Sequence, residues 1–349
     1  MIVLSSPYYD EEDRKALAEA ARKPEENKKK EKKFESTLAE FVGKRHAVLL
    51  NSGSSALHLS LLALNVKKGD EVIMPSFVCT ALLNAVNYVG AKPVIVDIEK
   101  ENFNTSTRKA KKAISRKTKA IILPHMFGMP AKIDEFLKLK IPIIEDCAQS
   151  IGAELKGKRV GSFGQISVFS FYHSKVISTG EGGAIATNSA SIAEKIRDLS
   201  DYDQREDYKT RYNYKFNPLL AGLGLSQLKK LPFFVRKRRE IAEIYREEFC
   251  GLKGMLTLPE EIAGRKHIFS KYVVQAKGKG EIARKKMLKQ GIKCGKGVFK
   301  PLHRYLGFSD KKFPNSAFAA EHAVAIPLYP ALKEKEIDYI IEKTKKVFG

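Results

Sequence analysis

The feature that most constrains this chain is an alternation that begins at residue 46. Short runs, apolar almost throughout, take turns with amphipathic stretches of helical period. The apolar runs cover 46–50, 72–74, 93–96, 120–123 and 141–144. Helices are predicted between them over 54–64, 78–89, near 106–115 and over 132–139. A strand that is apolar on both sides needs cover on both faces. The pattern therefore predicts an α/β fold: a mostly parallel central sheet between two layers of helices.

The flanks extend this plan. Helices are predicted over 10–22 and 31–42, with residues 23–33 as a polar linker. Two further strands, 166–171 and 184–186, are joined through a glycine-rich turn. A long helix starts at Asn217, a good N-cap, with Pro218 at its first position. It runs to about residue 248. Beyond it lie a strand over 272–276 and helices over 281–290 and 334–347. A chain of 349 residues, 43% hydrophobic, can bury a large core and a smaller one. Residues 1–235 are assigned to an N-terminal segment and large domain, and residues 236–349 to a small C-terminal α+β domain.

Composition excludes several classes. No stretch approaches the roughly 20 apolar residues that span a bilayer. The first residues lack the basic region of a signal peptide, so a cytoplasmic protein is expected. The four cysteines form no Cys-x-x-Cys pair and the seven histidines no metal-spaced pair, so neither a disulfide framework nor a metal site is predicted. Cys79 and Cys147 sit in apolar runs and read as core. Lys and Arg number 63 against 40 acids, a net charge of +23. Such a field attracts anions. The basic runs at 28–33, 108–119, 236–239 and 284–289 alternate with apolar or acidic residues at helical spacing and read as solvated faces. They carry little aromatic interleaving and match no nucleic-acid module. Contact with an acidic membrane surface stays open.

Ligands of open α/β sheets gather at the carboxyl ends of the strands. Four polar groups fall there. Asn51-Ser52-Gly53-Ser54-Ser55 opens a helix, as an anion site or as an ordinary serine cap. Asp146 ends the strand Ile143-Ile144-Glu145-Asp146. A buried acid needs a partner, which a protonated pyridine ring or a capping turn would supply. Phe169-Ser170-Phe171 leads to Lys175, followed by Gly180-Glu181-Gly182-Gly183. A lysine against an apolar wall can attack an aldehyde; a surface loop lysine is the plainer reading. The fourth group is Tyr212-Asn213-Tyr214-Lys215, just before the long helix.

The order and spacing of these groups carry more than any one of them. From Phe34-Glu35 to the last helix, the chain resembles the DegT/DnrJ/EryC1/StrS family of sugar aminotransferases. These are fold-type-I enzymes dependent on pyridoxal 5'-phosphate (PLP). The most specific stretch runs from Glu145-Asp146-Cys147-Ala148-Gln149 to Gly180-Glu181-Gly182-Gly183, with support from Pro75-Ser76-Phe77, His125-Met126-Phe127-Gly128, Pro301-Leu302-His303 and Ile326-Pro327-Leu328. The resemblance implies that Lys175 is the Schiff-base lysine and that Asp146 pairs with the pyridine nitrogen. Gln149 would contact the ring hydroxyl. Ser54, Ser55 and Ser170 would hold the phosphate, and Asn213 would reach it across a homodimer interface. Glu181 and His303 would face the substrate, while His125 would support the site from the core. The expected reaction moves an amino group from an amino acid, glutamate foremost, to a nucleotide-linked keto-sugar.

Three departures bear on the substrate. Many members carry a tryptophan-containing segment where this chain has residues 23–33 and no tryptophan. Cys79 stands where an aromatic residue often covers the ring. Lys215 replaces an arginine and loses its bidentate reach. Some relatives carry histidine in place of the lysine and act as dehydratases; Lys175 argues against that. Two alternatives remain: a PLP-binding regulatory or non-transaminating member, and a basic nucleic-acid or membrane-surface binder.

Overall fold

The computed structural model describes residues 1–349. Strands β1 (His46–Leu50), β2 (Glu71–Pro75), β3 (Lys92–Val96), β4 (Thr118–Pro124), β5 (Ile143–Asp146), β8 (Ile166–Ser170) and β9 (Gly183–Thr187) form one sheet. The hairpin β6 (Glu154–Leu155) and β7 (Lys158–Arg159) lies between β5 and β8 in the chain. Across the sheet the order is β1-β9-β8-β5-β4-β2-β3. Neighbouring pairs from β3 to β8 are parallel, and β9 alone runs against both its neighbours. The fold is thus the α/β arrangement that the alternation predicts.

Side-chain period explains the two-sided core. Val48 and Leu50 join one hydrophobic cluster with Leu57, Val86 and Ile122; Ala47 and Leu49 join another with Phe34, Phe169 and Leu231. Val168 and Phe169 part company in the same way. Successive strand residues face opposite sides, so the all-apolar strands bury both.

A second sheet, β10-β12-β13, is antiparallel and joins β10 (Leu256–Thr257), β12 (Tyr272–Ala276) and β13 (Ala323–Ile326). Its cluster draws on Ile241, Tyr245, Tyr272, Ile340 and Phe348, all late in the chain. A short strand, β11 (Arg265–Lys266), pairs with β6 to make a third, three-stranded sheet, β11-β6-β7, that ties this region back to the hairpin between β5 and β8. No helix is long and apolar enough to cross a membrane.

Most expected elements stand within a few residues of their predicted bounds. The linker is a correction. Residues 24–33 are helical: a 3-10 turn Pro24–Glu26 runs straight into the helix Asn27–Val42. Asn27 donates its side-chain amide to the Ala20 carbonyl at 3.0 Å. Lys28 pairs with Glu31, and Lys30 with Glu19. Lysine and glutamate are good helix formers, so the polarity marks a solvated face. The helix Ala190–Ser200, capped by Ser189, went unpredicted, as did the helix Pro314–His322 and β13.

The long helix follows its predicted start. Asn217 accepts from the Leu219 amide at 3.1 Å, a 3-10 turn covers Pro218–Leu220, and the α-helix runs Ala221–Glu248. Helix Asn27–Val42 crosses it where Phe34 lies against Gly224; a Cβ on Gly224 would overlap the ring. Phe171 and Phe216 hold that ring from other sides, with centroids 5.3 and 6.2 Å away. Gly224→Ala is therefore expected to cost about 2 kcal/mol, because overpacking exceeds the roughly 1 kcal/mol of helix propensity regained. The urea midpoint should fall, and Phe34→Leu in the same chain should restore part of it. An unchanged midpoint would contradict this packing.

Candidate active site

Six strands of the sheet end at one edge, where β9 begins. Leu50, Gly183 and Ser170 lie side by side there. Gly183 has no room for a Cβ, which would overlap the Ser52 carbonyl group. This close approach sets the helix Gly53–Ala63 against the end of β8. A Cβ on Gly53 would lie 2.9 Å from the Cβ of Ser170 and 3.4 Å from its hydroxyl oxygen. The Ser170 hydroxyl thus stands beside a helix start, whose first amides have no partner within the helix.

The serines divide their work. Ser52 is the N-cap and accepts from the Ser55 amide at 3.1 Å. The Ser55 hydroxyl donates to Asn51 Oδ1 at 2.6 Å. Ser55, expected as a phosphate ligand, is instead fastened inside the cap. Ser54 is exposed on the first turn and makes no side-chain hydrogen bond, so its hydroxyl and that of Ser170 remain available.

Next along the edge is β5. Asp146 is buried, and one carboxylate oxygen accepts the Ala148 amide at 3.0 Å. Burial pushes its pKa above the ordinary carboxylate value, although the Ala148 hydrogen bond and the charges of Lys175 and His125 pull the other way. Gln149 and Lys175 line one cavity of about 290 Å³, together with Cys79, Ser270 and Lys271. Two polar atoms there, Gln149 Oε1 and Ser270 Oγ, are buried without a partner. Buried polar groups are rarely left unpaired, so their presence in a cavity marks a place for a ligand.

Glu145, adjacent to Asp146, is fully buried and satisfied. It accepts from His125 Nε2 at 3.1 Å and from the amides of Gly161 (2.5 Å), Phe163 (3.1 Å) and Gly164 (2.7 Å). His125 Nδ1 accepts the Ala131 amide at 2.9 Å, so Nε2 carries the proton given to Glu145. His125 is a core residue, as expected. Burial alone would raise the Glu145 pKa; the His125 contact and the Gly161 and Gly164 amides more than offset it and hold it low.

Other expected residues are not brought together. His303 is buried with both ring nitrogens engaged: Nδ1 with Ser76 Oγ at 2.5 Å and Nε2 with Asp310 Oδ1 at 2.8 Å. It braces the exit of β2 and is not among the residues that line the cavity with Lys175. Glu181 is exposed in the glycine-rich turn and lies outside that cavity. Asn213 is exposed, and its carbonyl accepts from Asn51 Nδ2 at 3.3 Å, beside the helix cap.

Sequence reading missed Lys271. Its amine donates to the Gly297 carbonyl at 2.9 Å and lies 5.7 Å over the Phe127 ring. Burial, then the charge of Lys175, press its pKa down to about 8. The missed device behind it is Arg238, buried on the long helix. Its guanidinium donates to the carbonyls of Phe269 (3.2 Å), Ser270 (3.3 Å) and Leu328 (2.9 Å). That grip positions Ser270 and Lys271. Cys79, read as core, is a correction: it is exposed and lines this cavity, and its thiol is pushed up by the surrounding protein and by the charge of Asp146.

These residues fit PLP: a buried carboxylate for a ring nitrogen, an unpaired amide, an amine, and a serine beside a helix start for a phosphate. The comparisons agree. The family model of the DegT/DnrJ/EryC1/StrS aminotransferases matches residues 7–345. The chain belongs to that family. It is 32% identical to GDP-perosamine synthase of Escherichia coli O157:H7, covering 91% of this chain and 90% of the relative. It is 33% identical to the UDP-N-acetyl-3-dehydro-alpha-D-glucosamine 3-aminotransferase of Acidithiobacillus ferrooxidans, covering 87% and 85%. The sugar aminotransferase Spr1654 of Streptococcus pneumoniae, solved in its PMP form, superposes with a TM-score of 0.92 at 26% identity, covering 99% of both chains.

Two pH-linked predictions follow for this member of the family. Asp146 has a raised pKa, so keeping it ionised opposes folding at pH values above that pKa and not below the unfolded value. Asp146→Asn should therefore raise the cofactor-free protein's unfolding temperature at pH 7 and flatten its pH dependence, while PLP binding weakens. A lower unfolding temperature would show that the burial cost is not there. Glu145 has the opposite sign. Its contribution is whole above the ordinary value of 4.5 and is lost as pH falls through its lowered folded value. Acid unfolding of wild type should steepen below that pH, and Glu145→Gln should remove the steepening.

Proposed function

We propose that this chain moves an amino group from an amino acid, glutamate foremost, to a nucleotide-linked keto-sugar, with Lys175 as the lysine that joins the cofactor. As a family member it is a PLP-dependent sugar aminotransferase. The observation that carries the roles is the convergence of Asp146, Gln149 and Lys175 at one sheet edge, two of them on one cavity wall. Bound PLP supplies an electron sink for charge developing at the substrate carbon.

The residues then divide the task. Asp146 keeps a proton on the ring nitrogen, and that proton supplies the positive partner its buried carboxylate lacks. Gln149 offers its unpaired side chain to the ring hydroxyl. Ser54, Ser170 and the start of helix Gly53–Ala63 take the phosphate. The Lys175 amine carries the proton to and from the reacting carbon. Asn213, exposed beside the Asn51 cap, reaches the phosphate site of a second copy, which makes the working unit a homodimer. The protein acts in the cytoplasm, with residues 1–235 as the cofactor domain and 236–349 as the small domain.

The two named relatives support amino transfer over the regulatory alternative. Nucleic-acid binding finds little support in the basic runs: Lys28 and Lys30 are paired with acids, and Arg238 is buried against carbonyls.

The test is the visible spectrum of the PLP-loaded protein before and after adding glutamate, beside Lys175→Ala. Wild type should show a visible band that bleaches with glutamate, and the variant should lose both the response and turnover. Unchanged turnover in Lys175→Ala would overturn the assignment. Sedimentation should give twice the 39.1 kDa chain mass, and Asn213→Ala should weaken PLP binding about tenfold without dissociating the dimer. A fully active monomer would sink the shared site.

A further inference from the structure

Helix Gly280–Lys289 carries a face that the site does not use. Gly280, Ala283 and Met287 are buried, and Ala283 and Met287 join the cluster around the β10-β12-β13 sheet. Arg284 donates to the Ala323 carbonyl at 2.7 Å. The helix is thus firmly mounted. On one flank Glu281, Lys285 and Leu288 line a cavity of about 640 Å³. Lys279, Ile282, Lys286 and Lys289 are exposed and line neither that cavity nor the one with Lys175. Steps of three, four and three residues put them in one stripe along the helix.

The charge of this stripe is unmatched. Between residues 277 and 300 the only acid is Glu281, which Lys285 takes at 2.8 Å. Lys279, Lys286 and Lys289 have no acidic partner. Other basic runs are neutralised: Lys28 by Glu31, Lys30 by Glu19, Lys237 by Glu240 and Arg239 by Glu261. Lys279 stands at the N-cap, where the helix dipole disfavours a cation, so helix stability does not explain it. Ile282, between the lysines, is 55% exposed. The run 108–119 is also basic and largely exposed, but it presents no exposed large hydrophobic residue. Beyond the helix end Tyr339 is half-exposed, and its hydroxyl donates to the Gln290 carbonyl at 3.0 Å.

Lysines around an outward aliphatic side chain suit an anionic bilayer. There the ammonium groups meet headgroup phosphates, while the lysine stems and the aliphatic residue enter the acyl boundary. Tyrosine favours the same depth. A second copy of this face would set cation against cation. Protein interfaces are depleted in lysine, and a nucleic-acid backbone offers nothing to Ile282.

We propose that the stripe of Lys279, Ile282, Lys286 and Lys289 docks the protein reversibly on an anionic lipid surface, with Ile282 entering the acyl boundary. The cavity on the neighbouring flank of the helix then lies beside the headgroups.

The experiment measures co-sedimentation of the PLP-loaded protein with vesicles of phosphatidylcholine, alone or mixed with phosphatidylglycerol, at about 0.1 M and about 0.5 M salt. It compares wild type, Lys286→Gln/Lys289→Gln, Ile282→Ser, and a control that removes two exposed charges elsewhere, Lys111→Gln/Lys112→Gln. Wild type and control should bind the mixed vesicles alike, ignore the neutral ones and be released by the higher salt. The stripe double variant should bind about 25-fold more weakly, at roughly fivefold for each lysine near a charged surface. Ile282→Ser should bind about fivefold more weakly, as for partial burial of one aliphatic side chain. Unfolding temperatures should match throughout, because every substituted side chain is exposed. No binding by wild type, an equal loss in the control, or full binding by Ile282→Ser would overturn the proposal. So would a double variant that keeps vesicle binding but loses binding to duplex DNA, or one whose sedimenting mass changes without lipid. The stripe would then serve nucleic acid or a second copy.

Discussion

The structure turns on the last two residues of β5. Glu145 and Asp146 are adjacent acids on a buried strand, so their side chains leave on opposite faces. Glu145 meets four donors and becomes a hub that fixes residues 161–164 and His125. Asp146 meets one amide and the edge of a cavity. Two carboxylates of the same chemistry are thus shifted in opposite directions, one held low by hydrogen bonds and one raised by burial. The first is an anchor and the second a reagent. Because they share a backbone, the anchor sets the position of the reagent to within one residue's geometry.

The same division holds around the edge. Glu35 accepts the Leu49 amide at 2.9 Å and holds Arg197 through both oxygens, at 2.9 and 2.6 Å. That links helix Asn27–Val42, β1 and helix Ala190–Ser200 behind the serine cap. Gly183 lets the Ser52 backbone come close, which brings Ser170 to the helix start. Arg238 holds the Phe269–Ser270 turn from below, so Lys271 is aimed from a buried support. Site residues sit on strand ends and helix starts. Their supports, Glu35, Glu145 and Arg238, are buried and make several hydrogen bonds each, which holds the constellation in place.

How much of this the sequence shows depends on range. The sheet was legible because all-apolar strands have one architectural solution, and the long helix because Asn217-Pro218 is a local signal. Residues 23–33 misled because polarity was read as a linker, when lysine and glutamate serve a solvated helix equally well. Asp146, Gln149 and Lys175 were legible because a contiguous motif carries them. The contacts of Ser55 and His303 were not legible, because their partners, Asn51 on one side and Ser76 with Asp310 on the other, come together only in the fold. Lys271 left no local trace at all. It is one lysine among many, and only the contact of β12's entry with the cavity sets it apart.

The supporting acids and the cavity groups differ in how they are paired. Outside the cavity, acids are mostly matched: Glu145 by four donors, Glu35 by Arg197, Asp310 by His303 and Arg304. Inside it, Gln149 Oε1 and Ser270 Oγ have no partner, Asp146 is raised, and Lys271 is pressed to about 8 beside Lys175. Each of these costs the cofactor-free chain stability, by about 1–3 kcal/mol for an unpaired buried polar group. A ligand that brings a ring cation, a hydroxyl and phosphate oxygens removes those costs together. The affinity for that ligand is then partly the strain it relieves.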